Sequence, residues 1–180
     1  MPLRRGVVLL LVGAVGLASC ATGGFKPPSP PPGYAPVVLW GDSFGVGVSP
    51  YLPYVERVHG GTSPCQWVNE IGETPAPAVA VLLFVGNGMT TCDWPAAVQA
   101  ITESLQSRGS RVIWVAAPKR LVDDLHLAVN TVLAPYGPTR LPADSVGGDV
   151  YLPQYREPDG WHLNRDGDER FAQAIKQAVG

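Results

Sequence analysis

The sequence predicts an α/β domain: a three-layer α/β/α sandwich around a mostly parallel central sheet. Three observations lead there. Residues 37–40, 79–85 and 112–115 are continuous apolar runs rich in β-branched and aromatic side chains. Continuous rather than alternating apolarity suits strands buried on both faces. Segments with apolar residues at a spacing of four follow the second and third runs and close the chain, as amphipathic helices do. Strands alternating with helices join through right-handed crossovers into a parallel sheet.

The folded unit does not begin at the N-terminus. Arg4 and Arg5 precede an apolar run from Val7 to Leu17, shorter than the roughly 20 residues that cross a bilayer. This is the pattern of a secretory signal peptide. The run ends in Leu17-Ala18-Ser19-Cys20, which resembles the lipobox of bacterial lipoproteins. That resemblance implies removal of residues 1–19, a lipid on Cys20 and anchoring at the extracytoplasmic face of the cell membrane. An ordinary secretory signal cleaved near Ala18 or Ala21 is the competing reading. Residues 20–36 carry Pro27, Pro28, Pro30, Pro31, Pro32 and Pro36 among glycines without apolar periodicity, so they read as an extended tether. The domain is residues 37–180, enough for one well-buried core.

Within it the runs at 37–40, 79–85 and 112–115 are the strands. Residues 95–107 form a helix with Ala97, Ile101 and Leu105 on one face and Asp93 as N-cap. Leu121, Leu125, Val129 and Leu133 mark the next helix. Phe171, Ile175 and Val179 mark the last, with Asp166 and Glu169 as its capping box. Residues 51–76 and 136–160 are rich in Gly, Pro and single aromatics. Short strands near 56–59 and 145–151 are the expectation there.

The chain has 13 Lys and Arg against 15 Asp and Glu, scattered and netting -2. No basic stripe for a nucleic-acid backbone is present, and nucleic acid is set aside as a partner. Its 21 glycines and 19 prolines mark a tether and tight turns rather than disorder, since 46% of the chain is hydrophobic.

Ligands of a parallel sheet gather at the carboxyl ends of its strands. After the first run stands Gly41-Asp42-Ser43-Phe44-Gly45, which places a serine at a strand-to-helix turn. After the second stands Gly86-Asn87-Gly88, and ahead of the last helix stands Asp159-Gly160-Trp161-His162. Singly these read as an N-cap, a turn residue and a reverse turn. Together, and in this order, they resemble the SGNH, or GDSL, hydrolase superfamily over residues 37–180. The third block matches at Val85-Gly86-Asn87-Gly88, where the family usually has Gly-x-Asn-Asp.

The resemblance implies a flavodoxin-like SGNH fold and a serine esterase without metal or cofactor. Ser43 would be the nucleophile, His162 the general base and Asp159 the carboxylate that holds the imidazole. The oxyanion hole would comprise the Ser43 N–H, the Asn87 amide and a second-block glycine, for which Gly61 is chosen. The substrate would be an acyl ester, short-chain or carbohydrate-linked, with a glycan or glycolipid as possible carrier. O-acyl transfer to envelope glycans is an alternative on the same site, and a non-catalytic carbohydrate-binding or envelope module an alternative on the same fold. A monomer is expected.

With Cys20 assigned to lipid, Cys65 and Cys92 remain, and an exported domain with one leftover pair most simply forms a disulfide. Both are expected in loops beside Asn87. His59, His126 and His162 show no zinc-ligand spacing. Trp40 and Trp114 read as core. Trp67, Trp94 and Trp161 read as core or as platforms beside the site.

Overall fold

Five parallel strands form the centre of the computed structural model, which describes residues 37–116, 123–141 and 152–180. They are β1 (Val37–Gly41), β2 (Val55–Val58), β3 (Val79–Leu83), β4 (Arg111–Val115) and β5 (Arg140–Leu141), in the order β2-β1-β3-β4-β5. β1 sits between β2 and β3, with Leu39 opposite Glu56 on one side and Val81 on the other. The expected strand near 56–59 is therefore β2, one residue earlier. The fifth strand was not visible in the apolar pattern. The expected strand at 145–151, the signal segment 1–19, Cys20 and the tether 20–36 lie outside the described residues.

Strand alternation sorts the core into two halves. Leu39, Val81, Leu83 and Val115 face α1 (Ser43–Val48) and α5 (Arg165–Val179), packing on Phe44, Val48, Phe171 and Ile175. Val38, Trp40, Leu82, Val112 and Trp114 face the other way, onto Trp67 and Ile71 of α2 (Pro64–Glu73), Val98, Ile101 and Leu105 of α3 (Trp94–Ser107), and Val129 and Leu133 of α4 (Asp123–Leu133). These are the three layers the continuous apolar runs implied, since a strand covered by helices on both faces has no polar side. Each large aliphatic or aromatic side chain so buried contributes about 1.5–3 kcal/mol.

Burying a tryptophan removes its N–H from water, so each needs an acceptor inside. Trp40 donates to Glu70, Trp67 to Thr62, Trp94 to the Asn87 carbonyl and Trp114 to Thr102. Trp67 and Trp94 are thus core residues, like Trp40 and Trp114. Glu70 also pairs with Arg57, whose guanidinium is buried in the same layer.

Two helix starts differ from expectation. α2 was not anticipated, although Ser63-Pro64-Cys65-Gln66 is a capping box with proline in the first turn, and the structure forms it, the Ser63 N–H donating to the Gln66 side chain. Cys65 accordingly lies in a helix, not a loop. α5 begins at Arg165, and its cap is Asn164, whose side chain accepts from Gly167 N–H at 3.1 Å. Asp166, expected as the cap, falls inside the first turn with Asp168, where carboxylates oppose the positive helix end.

Candidate active site

In the order β2-β1-β3-β4-β5, the chain leaves β1 toward one edge and returns to β3 on the other side. The carboxyl ends of β1 and β3 therefore flank a crevice, the topological switch point at which such sheets bind ligands. Gly41 ends β1 against its neighbour: a Cβ there would meet the Leu83 carbonyl at 2.8 Å and Gly45 Cα at 3.1 Å. Only glycine lets the chain turn this tightly into α1, with Ser43 as its first residue.

Asp42 is the cap of that helix and is fully buried. One of its oxygens accepts from Phe44 N–H at 3.0 Å, and the other accepts from Val85 N–H at 2.9 Å and from the Asn87 side-chain amide at 3.2 Å. Burial pushes its carboxyl up to about 6 against the pull of those three donors. The aspartate thereby ties the end of β1 to the residues after β3. One amide hydrogen of Asn87 is spent on Asp42, leaving the other for a ligand. The Asn87 carbonyl is held separately by Trp94 Nε1 at 2.9 Å. The loop closes through Gly88, at φ +72°, where a Cβ would press on Ser63 at 3.2 Å. Beside it Cys65 and Cys92 are bonded, as the cysteine count led one to expect.

The third group comes from the other end of the chain. Arg156 and Leu163 form an antiparallel bridge, and Glu157 N–H donates to the His162 carbonyl, so residues 156–163 make a small hairpin. At its tip Asp159 accepts from the N–H groups of Trp161 and His162 at 2.8 and 3.0 Å. Its second oxygen meets His162 Nδ1 at 2.7 Å. The bond to the imidazole, followed by those from the two backbone N–H groups, holds the Asp159 carboxyl down at about 2. An ionised Asp159 requires the proton on Nδ1, which leaves Nε2 as an acceptor. Nε2 lies 3.0 Å from Ser43 Oγ, and the imidazole ring packs against Phe44 with centroids 5.8 Å apart. The side chains of His162 and Asp159 are 46% and 48% exposed, so the site opens to solvent.

Ser43, Asp159, His162 and Asn87 thus converge as the sequence suggested. In the second block, after β2 ends at Val58, a Cβ at Gly60 would lie 3.9 Å from Ser43 Cβ, whereas one at Gly61, the glycine chosen from the sequence, would meet nothing within 4 Å. Asp42 was overlooked as an organising residue. Its signal is a carboxylate between a glycine and a serine at a strand end; the N-cap expected there was Ser43, which is instead the first helical residue. A cavity of about 280 Å³ opens over Ser43, lined also by Phe44, Val85, Gly86, Asn87, Trp161 and His162. Among the described residues no group of three or more His, Cys, Asp or Glu is placed to hold a metal ion.

Fold and site first define a class: an α/β protein with a hydroxyl, an imidazole and a carboxylate in line at its switch point. Comparison with solved structures narrows the fold to that of the SGNH, or GDSL, hydrolases. A GDSL-like lipase from Bacteroides thetaiotaomicron matches with a TM-score of 0.61 at 18% identity, over 79% of this chain and 86% of that one. The psychrotrophic esterase EstA from Pseudoalteromonas matches with a TM-score of 0.60 at 8% identity, over 80% and 96%. A variant of an acetyl-xylooligosaccharide esterase from Geobacillus matches with a TM-score of 0.56 at 11% identity, over 80% and 93%. No protein-family model matches the sequence, and no curated protein matches it.

Proposed function

We propose that this protein is a serine esterase that cleaves acyl esters through a covalent acyl-enzyme. The observation that carries the reading is the unbroken chain Ser43 Oγ, His162 Nε2, His162 Nδ1, Asp159 Oδ2, with links of 3.0 and 2.7 Å, at the mouth of a cavity. Ser43 Oγ attacks the carbonyl carbon while its proton passes to His162 Nε2. Asp159 stabilises the imidazolium that results. The negative charge on the former carbonyl oxygen is met by the Ser43 N–H, the second Asn87 amide hydrogen and the N–H of Gly60, which replaces Gly61 in this role. Each such donor is worth about 2.7–4 kcal/mol in the transition state. The C–O bond breaks, and the leaving oxygen takes the proton from Nε2. Water, deprotonated by the same nitrogen, then attacks the acyl-enzyme and releases the acid and Ser43.

The test is turnover of a short-chain aryl acetate. Wild type hydrolyses it, and Ser43→Ala does not; equal rates for the two proteins would overturn the reading. We further propose that the mature chain is a lipoprotein anchored through Cys20, on the support of the Leu17-Ala18-Ser19-Cys20 motif. Expression of the full chain with labelled fatty acid should place the label on wild type and not on Cys20→Ser.

A further inference from the structure

The cavity over Ser43 has two sides, and chemistry assigns them. The oxyanion donors named above, the Ser43 N–H, the Asn87 amide and the Gly60 N–H, take the acyl carbonyl, and Val85, Gly86 and Asn87 line the cavity beside them. The leaving oxygen must collect its proton from His162 Nε2, so the alcohol departs across the imidazole. Trp161, the neighbour of His162 in the chain, also lines the cavity. This tryptophan is unlike the other four, all of which are buried at 1% exposure or less: Trp161 is 44% exposed. Val46 and Leu127 are the other large apolar side chains exposed among the described residues, and neither lines the cavity. The Trp161 backbone is fixed, since its N–H donates to Asp159. That places a half-exposed indole on the residue next to the proton donor.

Resting on the esterase reading, we propose that Trp161 is the leaving-group platform and that the substrates are short-acyl esters of ring alcohols, whose flat face stacks on the indole. The contact sets ring C–H groups against the indole face, so it is apolar and favours a ring that lies flat on it. The cavity of about 280 Å³ lies at the small end of ligand pockets and suits an ester with a short acyl group and one ring. Both pyranose and carbocyclic alcohols offer the required face.

The experiment compares cyclohexyl acetate with 3-hexyl acetate, both acetates of secondary alcohols with the same carbon count, which differ in the ring. Ethyl acetate and a mono-acetylated methyl pyranoside complete the set. Wild type is expected to favour the two ring esters over 3-hexyl acetate by about tenfold in kcat/KM. Trp161→Ala should erase that preference mainly by raising KM, and Trp161→Phe should retain most of it. Preference for cyclohexyl acetate without preference for the pyranoside would assign a carbocyclic rather than a sugar alcohol and still support the platform. Equal losses on ring and open-chain esters in Trp161→Ala, or no ring preference in wild type, would overturn the proposal. Labelling of Ser43 by a fluorophosphonate in each variant separates the two readings. A labelled, active protein indifferent to Trp161 sinks only the platform. A wild type that neither labels nor hydrolyses any ester sinks the esterase reading and the platform with it.

Discussion

Replacing Asp42 with Asn should raise relative stability with pH while crippling the site. The carboxyl is fully buried and is pushed from 3.8 to about 6. A group whose folded value is raised contributes most stability below its unfolded value, and that contribution is lost as pH rises through the folded one. At 1.36 kcal/mol per unit, the ionised carboxylate costs about 3 kcal/mol above pH 6 relative to the protonated one. The amide in Asp42→Asn does not titrate and escapes this loss. It can still accept from Val85 and Asn87 with its one oxygen, but its NH₂ then faces the Phe44 N–H, leaving a buried donor unpaired at a cost of about 1–3 kcal/mol. The variant should therefore be less stable than wild type by about that amount at pH 4. It should gain on wild type by about 2.4 kcal/mol between pH 4 and 7.5, ending close to it. Chemical denaturation across this range measures the difference. Activity should move the other way, kcat falling about 10²–10³-fold as Asn87 loses its charged anchor. A stability difference that is flat with pH would mean that Asp42 titrates normally. Full kcat in the variant would mean that Asn87 is held by something else. Either result refutes the reasoning.

Asp159→Asn should lower kcat by about 10²–10³-fold, short of the roughly 10⁴ found for buried triads, because water reaches this half-exposed pair; steady-state kinetics on an aryl acetate check it. Since His162 and the two backbone N–H groups hold Asp159 at about 2, wild-type activity should show no loss near pH 4 from this group in a pH–rate profile. Reduction of the Cys65–Cys92 bond, which closes a loop of sequence separation 27, should cost about 3–4 kcal/mol on the chain-entropy model. That corresponds to a Tm lower by about 6–16 °C, readable by calorimetry with and without reductant. Asp168 packs its carboxylate against Gly47, and burial, then Glu157, raises it to about 7. Its contribution is complete below 3.8 and lost as pH rises through 7, so Asp168→Asn should raise Tm at pH 8 and not at pH 4.

How far the sequence could be read follows from where the information is local. Runs such as VVLW at 37–40 declare buried strands, because both faces of each strand meet helices and every position must be apolar. Ser43, Asn87, Asp159 and His162 were legible because each sits at a turn adjoining a strand end or a helix start, and the sheet order brings those turns together. β5 was hidden because two residues, Arg140 and Leu141, form it only by pairing with Trp114 and Val115. α2 was hidden behind its flanking glycines and prolines, although its capping box was present. Gly60 and Gly61 could not be separated without knowing that β2 stops at Val58. Asp42 drew no role from the sequence because its two long-range partners, Val85 and Asn87, lie more than forty residues away. Local patterns reveal elements; couplings between distant turns appear only once the chain is folded.

The central claim is that Ser43 is a nucleophile activated by His162. Incubation of the folded protein with a fluorophosphonate, followed by mass spectrometry of its peptides, tests this most directly. One phosphonyl adduct is expected, on Ser43, absent in Ser43→Ala and strongly slowed in His162→Ala. A folded wild-type protein that takes up no probe, or carries it on another residue, would contradict it.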